Sequence, residues 1–184
     1  SGNEEIFYKR SGDGGSTWGE EIRLTNNPAY SDNTSVAVSG NDVHVAWQDN
    51  RDGNYEIYYS RSTDGGLNWE PEARLTIFEG NSYNPSIASY GLNLHCTWYD
   101  SRDGNYEIYY KRSTDGGTTW GDDFRLTDDP ASSAFPFMAV QDSIVHVIWQ
   151  DDRDGNPEIY YKRNMNGNPV TSIPDPSKGA LSAF

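Results

Sequence analysis

The chain has 184 residues, with 14 Lys and Arg against 28 Asp and Glu, giving a formal charge of −14. That balance excludes nucleic acid and anionic membranes as electrostatic partners, since both require basic patches. Only 34% of residues are hydrophobic, yet 14% are aromatic, including 13 Tyr and 6 Trp. This mix excludes a disordered chain and fits sheets whose polar-tipped rings cover an apolar interior. No apolar run in the sequence reaches the ~20 residues of a membrane-spanning helix, and no stretch reads as a signal peptide. The single cysteine, Cys96, excludes an internal disulfide.

The chain opens on Gly2-Asn-Glu-Glu-Ile-Phe-Tyr-Lys-Arg10, which matches Gly53–Arg61 further on. Next comes Ser11-Gly-Asp-Gly-Gly-Ser-Thr-Trp18, which returns at Ser62–Trp69 and Ser113–Trp120, 51 residues apart each time. His44, His95 and His146 keep the same spacing, as do Trp47, Trp98 and Trp149. A period of this size marks repeated units that bury their apolar faces against neighbours. Within the second unit four short strands are predicted: one near residues 35–38, one at 43–47, one at 55–61 and one around 73–76. Val43, Val45 and Trp47 alternate with His44 and Ala46, a period of two. Asp-Gly and Gly-Asn between the runs supply hairpin chemistry. No stretch carries helical periodicity, so the chain is expected to be all-β.

Four-stranded units of this length point to propeller blades. The expected organisation is a partial blade at 1–33, blades at 34–84, 85–135 and 136–172, and a flexible tail at 173–184. The last unit's box has decayed to Asn164-Met-Asn-Gly-Asn168, with Thr171 where Trp would stand, so its fourth strand near Val170 is weakly encoded. About three and a half blades fall short of the ~4–8 of a closed ring. Either further blades of a longer chain or a second copy would complete it. In the second case the N-terminal strand pair of one chain would finish the last blade of the other, giving a six-bladed dimer.

The pattern Ser-x-Asp-x-Gly-x-Thr-Trp resembles the Asp-box, or BNR repeat, of sialidase-like propellers. The first copy matches through Ser11, Asp13, Gly15, Thr17 and Trp18, and the third through Ser113, Asp115, Gly117, Thr119 and Trp120. The second keeps Ser62, Asp64, Gly66 and Trp69 but has Asn68 in place of Thr. An Asp accepting backbone N–H groups, glycines at positive φ and a packing Trp account for the box as a structural fastener. The resemblance places the box on the face opposite the ligand site and implies an extracellular or cell-surface location.

The opposite face is then expected to collect the second-to-third loops and the connections between units. The loops present Arg51 and Asp52, Arg102 and Asp103, and Arg153 and Asp154. These pairs either stitch blades together or form a ring that grips a polar ligand. Calcium is a weaker reading, because Asp-x-Arg-Asp-Gly-Asn lacks the alternating acids of an EF-hand, and no cofactor or metal is expected. The connections 26–34, 77–85 and 128–136 differ in sequence while their flanks agree. There Tyr83 and Phe135, with Tyr30 and Phe78 nearby, offer apolar platforms of the kind sugar rings use. The three histidines sit on separate units and are expected to make structural hydrogen bonds.

The resemblance to sialidases would require an arginine triad, an Arg-Ile-Pro motif, a Tyr nucleophile activated by Glu and an Asp acid/base. No Arg-Ile-Pro is present; Phe135–Phe137 and Ser172–Pro174 come nearest and lack the Arg. The expectation is therefore a non-catalytic module with no catalytic residues, binding glycan or an extracellular protein, or acting as a spacer. The alternative is a fragment of a sialidase-like glycoside hydrolase whose catalytic blades lie elsewhere.

Overall fold

A computed structural model describes residues 2–164; the expected strand near Val170 and the tail from Ile173 lie outside the described residues. The first unit contributes only β1 (Phe7–Tyr8) and β2 (Ile22–Arg23), paired antiparallel. The second folds as β3 (Ser31–Ser39), β4 (Asp42–Asp49), β5 (Glu56–Ser62) and β6 (Ala73–Arg74), a four-stranded antiparallel meander. The third repeats it with β7 (Ser82–Tyr90), β8 (Asn93–Asp100), β9 (Glu107–Ser113) and β10 (Phe124–Arg125). The last has β11 (Ser133–Gln141), β12 (Ile144–Asp151) and β13 (Glu158–Asn164), with β13 paired to β12 over seven positions. No helix occurs among the described residues, and so none is long and apolar enough to cross a membrane.

The first strands run further than expected. They begin at Ser31, Ser82 and Ser133, inside what the sequence presents as connections. Each then carries a register shift, between Asp32 and Ser35, Tyr83 and Ser86, and Ala134 and Phe137. A bulge of this kind adds unpaired residues and re-aims side chains. Tyr83 and Phe135 are therefore strand residues at a bulge.

The sheets stack face to face, with β3, β7 and β11 lying beside one another as the innermost strands. Between the second and third sheets Ala46, Ile57, Tyr59 and Leu75 meet Ile87, Leu94, Cys96, Trp98 and Tyr109. The same positions return one sheet later, where Ile108, Tyr110 and Leu126 meet Met138, Val145, Val147 and Trp149. Cys96 is a buried free thiol in the first of these layers, and burial pushes its pKa up to about 12.

Each sheet also plugs into the Asp-box of the next. Tyr8 packs edge-on to Trp69 at 5.0 Å, and Tyr59 packs edge-on to Trp120 at 5.2 Å between ring centroids. Two residues further along the chain, Arg10 donates to the Gly65 carbonyl at 2.7 Å and Arg61 to the Gly116 carbonyl at 2.6 Å. The tyrosine rings lie where a side chain at the second box glycine would be: a Cβ on Gly66 would fall 2.7 Å from Tyr8 Cζ, and one on Gly117 2.8 Å from Tyr59 Cζ. At Gly15 the same position is open, and Trp18 is 62% exposed.

This contrast makes the interlock testable. Gly15→Ala and Gly117→Ala both put a side chain at positive φ, costing about 1–2 kcal/mol. Only at Gly117 must a neighbouring ring give way as well, adding about 1–3 kcal/mol. Urea denaturation of the two variants should show the larger loss for Gly117→Ala; equal losses would mean that Tyr59 is not seated on the box.

Candidate ligand-binding face

The turns sort to two faces. The second and third boxes fold against the first-to-second turn of their own sheet, with Gly65 N–H donating to the Asn41 carbonyl at 2.8 Å and Gly116 N–H to the Leu92 carbonyl at 2.9 Å. The second-to-third loops meet the connections instead: Asn50 N–H donates to the Tyr30 carbonyl and Ser101 N–H to the Asn81 carbonyl, both at 3.2 Å.

In the boxes the aspartate is fully partnered. Asp13 accepts from Ser11 Oγ at 2.7 Å, Thr17 N–H at 2.9 Å and Thr17 Oγ1 at 2.7 Å. Asp115 repeats this with Ser113 and Thr119. In the second box Asn68 supplies the same pair of bonds, its N–H at 2.9 Å and its side-chain amide at 2.7 Å to Asp64. The departure at Asn68 keeps the chemistry. Hydrogen bonds from the Thr17 backbone first, then its hydroxyl and Ser11, hold Asp13 down at about 2. The Thr119 hydroxyl first, then its N–H, holds Asp115 at about 2.

The Arg-Asp loops close on themselves. Arg51 grips Asp49 through Nε at 2.8 Å and Nη2 at 2.6 Å, donates to Glu72 and stacks 4.3 Å over the Tyr58 ring. Arg102 holds Asp100 at 2.6 Å and Asp123 at 2.8 Å, over Tyr109 at 4.2 Å. Arg153 takes both oxygens of Asp151 at 2.7 and 2.6 Å, over Tyr160 at 4.5 Å. Asp49, Asp100 and Asp151 are buried, and each also accepts from a tryptophan indole and a serine hydroxyl. Burial pushes Asp49 up, but the bonds from Arg51 and Ser31 outweigh it and leave the carboxyl below its usual range. Asp52, Asp103 and Asp154 accept from the hydroxyls of Tyr58, Tyr109 and Tyr160. This geometry is that of stitching within each unit.

The divergent positions converge elsewhere on the same face. Tyr83 lies 5.2 Å from Tyr55, 5.4 Å from Tyr99 and 6.3 Å from Tyr106. Tyr99 lies 5.1 Å from Tyr106 and 5.4 Å from Phe135, so five rings from three units form one continuous cluster. Of the predicted platform residues, Tyr83 and Phe135 belong to it; Phe78 instead stacks 5.0 Å from Arg102, and Tyr30 stands exposed. The sequence reading missed Tyr55, Tyr99 and Tyr106. The signal was present, since their matched positions read Glu4, Tyr55, Tyr106, Pro157 and Gln48, Tyr99, Gln150. At the Tyr55 end sits Asp32, whose pKa is raised by burial first and then by Glu4, with one oxygen buried and unpartnered.

His44 and His95 bond through Nδ1 to Tyr59 at 2.8 Å and Tyr110 at 2.6 Å, and His146 bonds to Tyr161 at 2.7 Å. Among the described residues no group of three or more His, Cys, Asp or Glu is disposed to hold a metal ion. Burial lowers both His44 and His95 from 6.5 to about 4. Because the unfolded chain then binds these protons first, stability is full above about pH 6.5 and falls as the pH drops toward about 4. The box aspartates add a second loss below about pH 4, reaching toward 2. Denaturant midpoints at about pH 7, 5 and 3 should fall at each step; an unchanged midpoint between the first two would show that the histidines titrate freely.

Sequence comparison finds no matching family model and no matching characterised protein. The structure is similar to an α-L-arabinofuranosidase from Fusarium graminearum, with TM-score 0.65 and 17% identity, covering 88% of this chain and 55% of that one. It is also similar to Trypanosoma rangeli sialidase, at TM-score 0.62 and 16% identity over 90% of this chain and 32% of that one. An intramolecular trans-sialidase from Ruminococcus gnavus gives TM-score 0.62 and 14% identity over 88% and 38%. The chain thus spans about a third to just over half of these glycoside hydrolases. With its antiparallel four-stranded sheets, it has the fold of the sialidase propellers.

Proposed function

We propose that this chain is part of an extracellular Asp-box propeller that binds glycan without catalysing its hydrolysis. The observation that carries this reading is the contrast between two sets of residues on one face. Arg51, Arg102 and Arg153 are spent on buried aspartates of their own loops, whereas Tyr83, Tyr99, Tyr106 and Phe135 form an aromatic surface in which Tyr106 and Phe135 stand exposed. Amphipathic rings of this kind suit the apolar faces and hydroxyl edges of sugars. The reading as a fragment of a glycoside hydrolase draws support from the neighbouring folds, but fold likeness does not transfer activity. A glycan array should report binding that falls at least about ten-fold in Tyr106→Ala, and a fluorogenic sialoside should not be turned over. Sialoside turnover abolished by a single change at Arg51, Arg102 or Arg153 would overturn the reading.

The same proposal includes self-association. Trp18, Phe7, Val36 and Val38 are exposed at one end of the stack, and Phe137, Ile148, Ile159 and Tyr161 at the other. Their counterparts at internal positions, such as Ile57 against Ile87, and Tyr59 against Trp120, are joined. A second copy would therefore bring Tyr161 onto the open Trp18 box. Light scattering at micromolar concentration should give a mass above 20.7 kDa that drops in Trp18→Ser; a monomer throughout would sink the idea.

A further inference from the structure

Phe135 adopts a left-handed backbone, φ 53, at the bulge near the start of β11. Its matched residues in the two preceding units are Asn33 and Asn84, both at φ 48. Asparagine tolerates this conformation because its short side chain can bond locally, whereas a bulky ring there is a genuine outlier. The fold therefore calls for Asn at this position and has accepted a strained Phe. Packing does not account for the exchange. The ring is 55% exposed and touches the cluster only edge-on, at 63° to Tyr99. A strained, exposed aromatic that the fold does not need is a signature of a group kept for a ligand.

The surroundings restrict what that ligand is. From Phe135 the rings run through Tyr99, Tyr106 and Tyr83 to Tyr55. The far end carries Asp32 beside Glu4, and Tyr55 lies within the field of both. The cations nearest in the loops, Arg51, Arg102 and Arg153, face Asp49, Asp100 and Asp151. These guanidiniums are engaged within their own loops, and the chain's charge of −14 opposes the approach of a carboxylate.

We infer that Phe135 is a sugar-stacking residue of this face and that the face selects uncharged glycans over sialylated ones. The inference rests on the glycan-binding reading above and names its ligand class. A stacked pyranose presents C–H groups to the ring and hydroxyls to the tyrosine phenols and to Asp32, requiring no cation. A sialoside would bring a carboxylate to a surface whose charged groups at the Tyr55 end, Asp32 and Glu4, are acids, with neutral phenol hydroxyls as its donors.

The test uses the full chain, its Phe135→Asn and Phe135→Trp variants, and one array carrying neutral glycans and sialylated forms of the same cores. Neutral glycans should bind at least about ten-fold more strongly than their sialylated forms. Phe135→Asn should lose about ten-fold in that binding while its Tm rises by about 2–4 °C, because Asn relieves the strain. Phe135→Trp should keep the binding. Preference for sialylated forms, unchanged binding in Phe135→Asn, or a fall in its Tm would overturn the inference and leave glycan binding standing. Absence of any bound glycan would remove both.

Discussion

A buried carboxylate at the end of each second strand organises its sheet. Asp49, Asp100 and Asp151 lie out of water, where a lone negative charge would be prohibitive. Each is made tolerable by donors from different elements. For Asp49 these are the Ser31 hydroxyl from the first strand, the Trp47 indole from the second, and the Arg51 N–H and guanidinium from the loop. Arg51 then reaches Glu72 ahead of the fourth strand and lies over Tyr58 of the third. One charge thereby fixes all four strands. Removing the arginine would strand the carboxylate, at a cost of about 3–5 kcal/mol. That dependence explains why each loop arginine commits an edge of its guanidinium to its own loop.

The second constraint acts between sheets. A single meander of this size buries too little to stand alone, and each sheet uses both faces. Hydrogen bonds cross the gap as well as apolar contacts. Ile87 N–H reaches Ser35 Oγ and Met138 N–H reaches Ser86 Oγ, both at 3.0 Å, and Lys111 and Lys162 donate to the carbonyls of Leu75 and Leu126 at 2.5 Å. These partners recur at the same repeat positions, so the stack continues by one rule. The rule also makes the two ends chemically complementary, a tyrosine and arginine edge at one and an open box at the other.

How much of this could be read from the sequence follows from what repeats. The 51-residue register gave the all-β class and the antiparallel four-stranded sheets, because those depend on local pattern. It also left Arg51, Asp52 and their copies open between stitching the blades and gripping a ligand. Sequence has no measure of burial for Asp49, two residues before Arg51, so it could not decide between the two. The bulge escaped for a related reason. Residues 31–34 read as turn-forming by composition, yet β4 offers them hydrogen-bonding edges, and pairing to a neighbouring strand overrides local preference.

The aromatic cluster shows where divergence between repeats carries information. Positions that hold the fold, such as Trp47, Trp98 and Trp149 or His44, His95 and His146, stay the same because each unit solves the same packing problem. Positions at the bulges and the neighbouring strand ends face no such common problem. There the units hold Glu4, Tyr55 and Tyr106, then Asp32, Tyr83 and Ala134, then Gln48, Tyr99 and Gln150. The result is a gradient across the face, acidic where Glu4 and Asp32 lie in the first two units and aromatic at the third. A symmetric set of blades has no means of orienting a ligand, whereas a gradient gives it a direction. Phe135 stands at the aromatic end of that gradient, in a backbone conformation that suited the asparagines before it. The buried Asp151 network beneath β11 holds the strand whatever residue stands there, through Ser133 at 2.7 Å. Strain at the surface is tolerated because the fold is anchored one layer below it.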